Sequence, residues 1–368
     1  MKSVMFRQMG QQKNGSPETF CPEKDMYFLK RENNALRREA VSFSCLGKIR
    51  STGQSCLFRW KQYLDSLLLR ILKNQGVSAY PLVIGLAESG IIPSGLFHQL
   101  LREKSFAAGW ICSTRRPASG IRFTESHSHG PDHVLPLPEG RPTELWFVED
   151  EITTGCTLLR LSLSLCRHLH LRQVRFLAFS DNRNAAGRKH FQTILWKEGI
   201  KFSIHTLADP AHRGNTEATV LHPDSRMQEC DSVTEIPDIS AQHDETHWNF
   251  PEHRPALKEK SDIRIPFGEN LHGTLLAVGE AVDLGLRIVQ NSAGLELRHI
   301  TLSPWEMDSR HIFSRLDIGE KYYLYNYHTL RPPLHILSDP IDAETGREAA
   351  ALLSAKGFSV RHLDMGQI

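Results

Sequence analysis

The segment LWFVEDEITTGCTLLRL, residues 145–161, governs how the rest of the chain is read. An apolar run delivers two adjacent carboxylates, Glu149 and Asp150, then a polar turn holding Thr153, Thr154, Gly155 and Thr157, then a helical period from Leu158. The order is strand, turn, helix. In an open parallel sheet, ligands bind beyond the carboxyl ends of the strands, where loops meet helix N-termini. Unpaired N–H groups and the helix dipole favour an anion there. Gly155 lets the backbone come close to a phosphate, and the threonine hydroxyls add donors. Carboxylates turned towards a phosphate would repel it, so Glu149 and Asp150 suit sugar hydroxyls or a divalent cation better.

A second strand–turn–helix, VIGLAESGIIPSGL at 83–96, lies upstream, with Ala87, Glu88, Ser89 and Gly90 in its turn. Ser89 and Gly90 suit a nest of backbone amides. Around these two units, apolar runs alternate with helical periods. PLVIGLA, AAGWICST, ELWFVE, VRFLAFS and IKFSIHTL read as strands. Helices are expected from Ile91 to about Arg102, from Leu158 to His170 and around Lys189–Lys197. Such alternation predicts βαβ units and an α/β fold with a parallel sheet covered on both faces. Leu57, Trp60, Tyr63, Leu64, Leu67, Leu68, Ile71 and Leu72 recur at three and four residues, which predicts an amphipathic helix opening this domain.

Four regions follow. Residues 1–56 lack sustained periodicity and read as a poorly ordered extension; 57–209 form the first α/β domain. Residues 210–262, rich in Pro, His, Asp, Glu and Ser, read as a linker. Residues 263–368 regain apolar content, with strand-like KYYLYNY and the helix ETGREAAALLSAKGF, and predict a second, smaller α/β or α+β domain. Within it, Trp305, Tyr322, Tyr323, Tyr325 and Tyr327 read as core packing rather than a stacking platform, since strand residues alternate faces. No internal repeat is visible.

With 44 Lys plus Arg against 42 Asp plus Glu, the net charge of +2 is too even for a nucleic-acid-coating protein. The seven cysteines are scattered without CxxC spacing, so neither a disulfide framework nor a zinc site is indicated, and a reducing cytoplasm fits. No apolar run reaches the ~20 residues of a spanning helix. The loop between the first two units, STRRPASGIRFTESHSHGPDHVLP at 113–136, carries Arg115 and Arg116, which could pair with phosphate oxygens. It also holds Glu125, His127, His129, Asp132 and His133, readable as a lid over a reacting bond, as a metal site or as a solvated loop.

The 145–161 segment resembles the 5-phosphoribosyl-1-pyrophosphate (PRPP) signature of type I phosphoribosyltransferases. By position, the resemblance implies that Glu149 and Asp150 hold the ribose hydroxyls. It gives Thr153, Thr154, Gly155, Cys156 and Thr157 the 5-phosphate, and Ala87, Glu88, Ser89 and Gly90 the leaving pyrophosphate. Family members acting on 6-oxopurines carry Asp where Thr153 stands, so the likeness leans away from those bases. The AESG turn, TRR and FTESHSHGPDH together look like an orotate-phosphoribosyltransferase-like subgroup of bacterial tellurium-resistance and stress gene neighbourhoods. That subgroup is often followed by a TRSP domain, whose motif stands here as Thr301, Leu302, Ser303 and Pro304. Leu302 in place of Arg removes a phosphate-pairing group.

What this resemblance implies is a cytoplasmic enzyme of nucleotide metabolism that transfers a phosphoribosyl group from PRPP to a nitrogenous acceptor. Catalysis would use Arg115, Arg116, Glu149 and Asp150, under a lid drawn from Glu125, His127 and His129. Mg²⁺ would arrive with PRPP, Asp150 being the protein group placed to reach it. A sensor of PRPP or nucleotide that performs no transfer is the alternative. PRPP and a base-like small molecule are the expected partners, with a homodimer left open and neither a membrane nor nucleic acid involved.

Overall fold

A computed structural model describes residues 22–32, 38–124, 132–138, 140–208 and 271–364. The stretch 210–262 and the lid candidates Glu125, His127 and His129 lie outside the described residues.

The chain opens on an antiparallel pair, β1 (Met26–Lys30) and β2 (Glu39–Phe43), followed by α1 (Gln54–Gln75). Residues 22–32 and 38–56, expected to belong to a poorly ordered extension, thus carry structure. Val41, Phe43, Cys45, Leu46 and Ile49 are buried, and Phe43 packs edge-on against Trp60 of α1 and Phe179. The strands are too short, at five residues each, to show a period in the sequence.

The first sheet is then built from β3 (Pro81–Gly85), α2 (Ile91–Glu103) and β4 (Gly109–Cys112). The hairpin β5 (Gly120–Thr124) and β6 (Asp132–Pro136) comes next, then β7 (Glu144–Ile152), α3 (Cys156–His168), β8 (Gln173–Asp181), α4 (Ala185–Lys197) and β9 (Lys201–Ala208). Its order is β4-β3-β7-β8-β9, all parallel. The chain winds from β3 outwards to β4 and then returns to β7 on the other side, which puts a topological switch point between β3 and β7. The turns after β3 and after β7 stand on either side of it.

The second half repeats this winding. β10 (His272–Val278), α5 (Val282–Gln290) and β11 (Gly294–Ile300) are followed by an inserted hairpin, β12 (Arg315–Ile318) and β13 (Tyr322–Tyr325), then β14 (Leu334–Ser338), α6 (Ala343–Ala355) and β15 (Val360–Asp364). The sheet order is β11-β10-β14-β15, again all parallel, which settles this half as α/β. A repeat that is silent in residue identities is therefore present in topology. Tyr322, Trp305 and Tyr325 are buried, as the core reading expected.

The two halves do not bury separate cores. Leu57, Leu64 and Ile71 of α1 and Leu96, Phe97 and Leu100 of α2 share one cluster with Leu275, Ala277, Val282, Leu286 and Val289. On the outer faces, Leu158, Leu161 and Leu165 of α3 pack with Phe147 and Phe176 of the first sheet. Ile336, Ala349 and Leu353 belong to the outer cluster of the second.

Candidate functional site

The turn after β7 leads into α3 through Gly155, whose φ of 79° falls in the left-handed region. A side chain there would also press on Phe191, 3.1 Å away. Glycine meets both demands. Leu159 N–H donates to Gly155 O at 2.9 Å, so the helix starts at the turn, and Cys156 N–H reaches Thr154 Oγ1 at 3.4 Å. Across the switch point lies the turn Leu86–Gly90, whose Ala87–Glu88 peptide is cis. Gly90 comes so near Glu149 that an added Cβ would sit 2.6 Å from its carboxylate.

Between these turns is a cavity of about 290 Å³. It is lined by Ala87, Glu88 and Ser89 on one side and by Glu149, Asp150 and Thr153 to Thr157 on the other. The residues singled out for a phosphoribosyl ligand thus come together, save Gly90, which packs behind Glu149. The cavity also has walls that sequence reasoning missed. Arg31, Ala40 and Val41 reach it from the N-terminal hairpin, and Leu302, Ser303, Pro304 and Trp305 from the second half. These two walls are joined: Arg31 bridges Trp305, Glu32 N–H donates to Pro304 O at 2.9 Å, and Glu306 N–H donates to Lys30 O at 2.8 Å.

The three consecutive carboxylates of β7 have different tasks because strand neighbours alternate faces. Glu149 is buried and accepts from Leu86 N–H at 2.8 Å, so one of its oxygens fixes the opposite turn. Glu151, which the sequence reading did not name, pairs with Arg31 at 3.3 Å and accepts from Asn182 Nδ2 at 2.5 Å. Asp150 lies between them and accepts from Glu151 N–H at 2.9 Å. Burial pushes its carboxyl up to about 6; Glu151 adds to the rise, while Lys48 and Arg31 oppose it. The Asp150 side chain still meets the cavity with part of its surface.

Glu88 turns into the second half. Its carboxylate accepts from Thr301 Oγ1 at 2.5 Å and from Leu302 N–H at 3.1 Å, and lies 3.4 Å from Lys48 Nζ. Lys48, almost fully buried, also donates to Ser89 Oγ at 2.7 Å and Ser303 Oγ at 3.1 Å, tying three distant segments together. Burial alone would raise Glu88; the charges of His299 and Lys48 and the Thr301 hydroxyl outweigh it and hold the carboxyl down to about 2. His299 is itself pushed down to about 4 by burial, so at neutral pH it is uncharged and Lys48 carries the compensation.

Arg115 and Arg116 are engaged by carboxylates of the second half, and Arg115 also lines the cavity. Arg115 donates to Glu280 at 3.1 Å, Tyr322 OH at 2.9 Å and Asp342 at 3.0 Å, and Arg116 pairs with Asp339. In the loop expected to be a lid, the described part is the docked β5–β6 hairpin. Ile121 and Leu135 are buried, and Thr114 pairs with Val134. No group of three His, Cys, Asp or Glu suited to a metal occurs among the described residues. Nor, among them, is any helix long and apolar enough to cross a membrane.

Residues 31–210 match the family described as Phosphoribosyl transferase, which supports a transferase. The second half lies outside the match. No curated protein matches the chain. Solved structures with some likeness include adenine phosphoribosyltransferase from Saccharomyces cerevisiae, at 11% identity over 51% of this chain and 96% of that one, TM-score 0.36. Another is adenine phosphoribosyl transferase from Trypanosoma brucei in complex with AMP, pyrophosphate and ribose-5-phosphate, at 11% identity over 53% and 82%, TM-score 0.38. Hypoxanthine phosphoribosyltransferase from Trypanosoma cruzi has 17% identity over 46% and 82%, TM-score 0.27. At these identities and scores the likeness adds nothing to the family match.

Proposed function

We propose that the cavity binds PRPP and that the protein transfers its phosphoribosyl group to a nitrogenous acceptor, releasing pyrophosphate. The observation that carries this reading is the meeting, at one switch point, of a helix N-terminus at Thr153–Thr157, the carboxylates of Glu149 and Asp150, and the Ala87–Ser89 turn. The first suits the 5-phosphate. Asp150, rather than the internally bonded Glu149, is then the main acceptor for the ribose hydroxyls. Glu149 holds the opposite turn in place for the pyrophosphate.

In the reaction, the C1–O bond to pyrophosphate breaks with its electron pair leaving on oxygen, a C1–N bond forms on the opposite face, and the nitrogen loses its proton. Positive character at C1 is favoured by the nearby carboxylates in a site with little water. The donor set also fits a hard cation that keeps few protein ligands: Asp150 is the available carboxylate, with no protein cage around it. Mg²⁺ bound there would neutralise the pyrophosphate and ribose oxygens.

Arg115 and Arg116 add less to catalysis than their position in the sequence implies, since their charge is already offset. The wall from Leu302 to Trp305 assigns the second half a part in closing the site. Incubation with PRPP, Mg²⁺ and a metabolite extract, followed by mass spectrometry, tests the proposal. Pyrophosphate appearing together with a ribosylated product supports it; PRPP binding without turnover in any extract would favour the sensor instead.

A further inference from the structure

His133 is a polar group without a task in the fold. It lies on β6, faces the same side of the hairpin as Leu135, and stacks on Phe123 of β5 with centroids 5.5 Å apart and planes 19° from parallel. The ring is 5% exposed, and neither Nδ1 nor Nε2 has a hydrogen-bond partner among the described residues. Burying an unpaired imidazole costs free energy that a merely packed ring would avoid, and Phe would fill such a place without that cost. His133 lines the cavity, as do Thr153 to Thr157.

We infer that His133 is a ligand-binding residue whose ring nitrogen donates a hydrogen bond to a phosphate oxygen of the bound phosphoribosyl compound. The inference rests on the cavity being the PRPP site. A phosphate is the fitting partner because the Thr153–Thr157 turn and the helix N-terminus suit an anion in the same cavity. The Phe123 stack fixes the ring plane, so the donor is aimed before the ligand arrives. Two phosphate groups offer the same chemistry, the ribose 5-phosphate and the pyrophosphate, and they can be told apart with separate probes.

The experiment titrates ribose 5-phosphate, and separately pyrophosphate with Mg²⁺, into the full chain and its variants by calorimetry. His133→Phe keeps the stack and removes both nitrogens, while His133→Asn restores a donor on a smaller side chain. The expected result is a loss of about ten-fold or more in affinity for one of the two probes in H133F, partly recovered in H133N. The other probe is unaffected, and thermal unfolding of the free variants stays close to that of the parent. The probe that loses affinity identifies the phosphate. Unchanged affinity for both probes overturns the assignment, and an equal loss for both, with lowered thermal stability, shows a structural role and overturns it too. Should the parent protein bind neither probe nor PRPP, the site reading itself fails and takes this assignment with it; binding by the parent with an indifferent His133 sinks only the latter.

Discussion

Asp150→Asn should make the protein more stable at neutral pH and unable to respond to PRPP. Asp150 is an ionisable group held against its preference: burial lifts its carboxyl from an ordinary 3.8 to about 6. Each unit of difference between folded and unfolded values corresponds to about 1.4 kcal/mol, so at pH 7 ionised Asp150 costs the fold at most about 3 kcal/mol. Its edge on the cavity remains in contact with water, which reduces the expected cost to about 1–2 kcal/mol. An amide of the same shape can still accept from Glu151 N–H and carries no charge to desolvate.

The pH dependence fixes the cause. Between about pH 4 and 6 the folded chain holds a proton on Asp150 that the unfolded chain has released. The parent's stability, measured relative to D150N, therefore rises as pH falls through that window and declines as pH rises through it. Urea unfolding of both proteins at several pH values should show D150N ahead by about 1–2 kcal/mol at pH 7, with the gap closing near pH 4. Taking the difference between the two cancels every other titrating group. PRPP with Mg²⁺ should raise the parent's unfolding midpoint and leave that of D150N unmoved. A variant less stable than the parent at pH 7, or a gap indifferent to pH, would refute the argument that Asp150 is destabilised for the sake of a ligand.

Lys48→Met should destabilise by about 3 kcal/mol by leaving Glu88 buried without a counter-charge; adding Glu88→Gln should recover about half, and a double-mutant cycle in urea measures the coupling. Arg115→Ala with Arg116→Ala should cost stability, because Glu280, Asp339 and Asp342 lose their partners, while PRPP affinity by calorimetry changes less than two-fold, or about 0.4 kcal/mol. Proteolysis within 210–262 should give two pieces that elute together on size exclusion, since Leu96 and Phe97 share a cluster with Leu286 and Val289; separation of the pieces would contradict a common core.

The strand–turn–helix at 145–161 was legible because its physics is local: an apolar strand, a glycine at the turn and a helical period lie within seventeen residues. The parallel sheet was legible for a related reason, since buried strands such as Val83–Gly85 and Phe176–Phe179 leave continuous apolar runs. What escaped was carried by long-range partners. Lys48 looked like one basic residue in an aperiodic stretch, yet it meets Ser89 and Ser303, which are 41 and 255 residues away. The β1–β2 hairpin escaped because a five-residue strand earns its place through Trp60 and Phe179, not through its own pattern. The ion pairs of Arg115 and Arg116 escaped on the same account: their type suits phosphate, but only the tertiary fold brings Glu280, Asp339 and Asp342 to them.

The matched winding of the two halves sets Leu302 where the first half carries Arg115. Thr114-Arg115-Arg116-Pro117 follows β4, and Thr301-Leu302-Ser303-Pro304 follows β11; the two strands hold equivalent places beside β3 and β10. Their bonds are reciprocal. Thr114 Oγ1 donates to Glu280 at 2.5 Å and Arg115 N–H donates to the same carboxylate at 2.7 Å. Thr301 Oγ1 donates to Glu88 at 2.5 Å and Leu302 N–H donates to that carboxylate at 3.1 Å. Glu88 follows β3 as Glu280 follows β10, so each half reaches into the other's switch point through the same backbone device. The side chains then break the symmetry. Arg115 and Arg116 extend into the second crevice and occupy its acidic residues, whereas Leu302 and Ser303 are too short to fill the first. An arginine at 302 would bring a long cation towards the turn that Lys48 already serves. The short side chains of Leu302 and Ser303 line the cavity of about 290 Å³ that Glu149 and Asp150 also face.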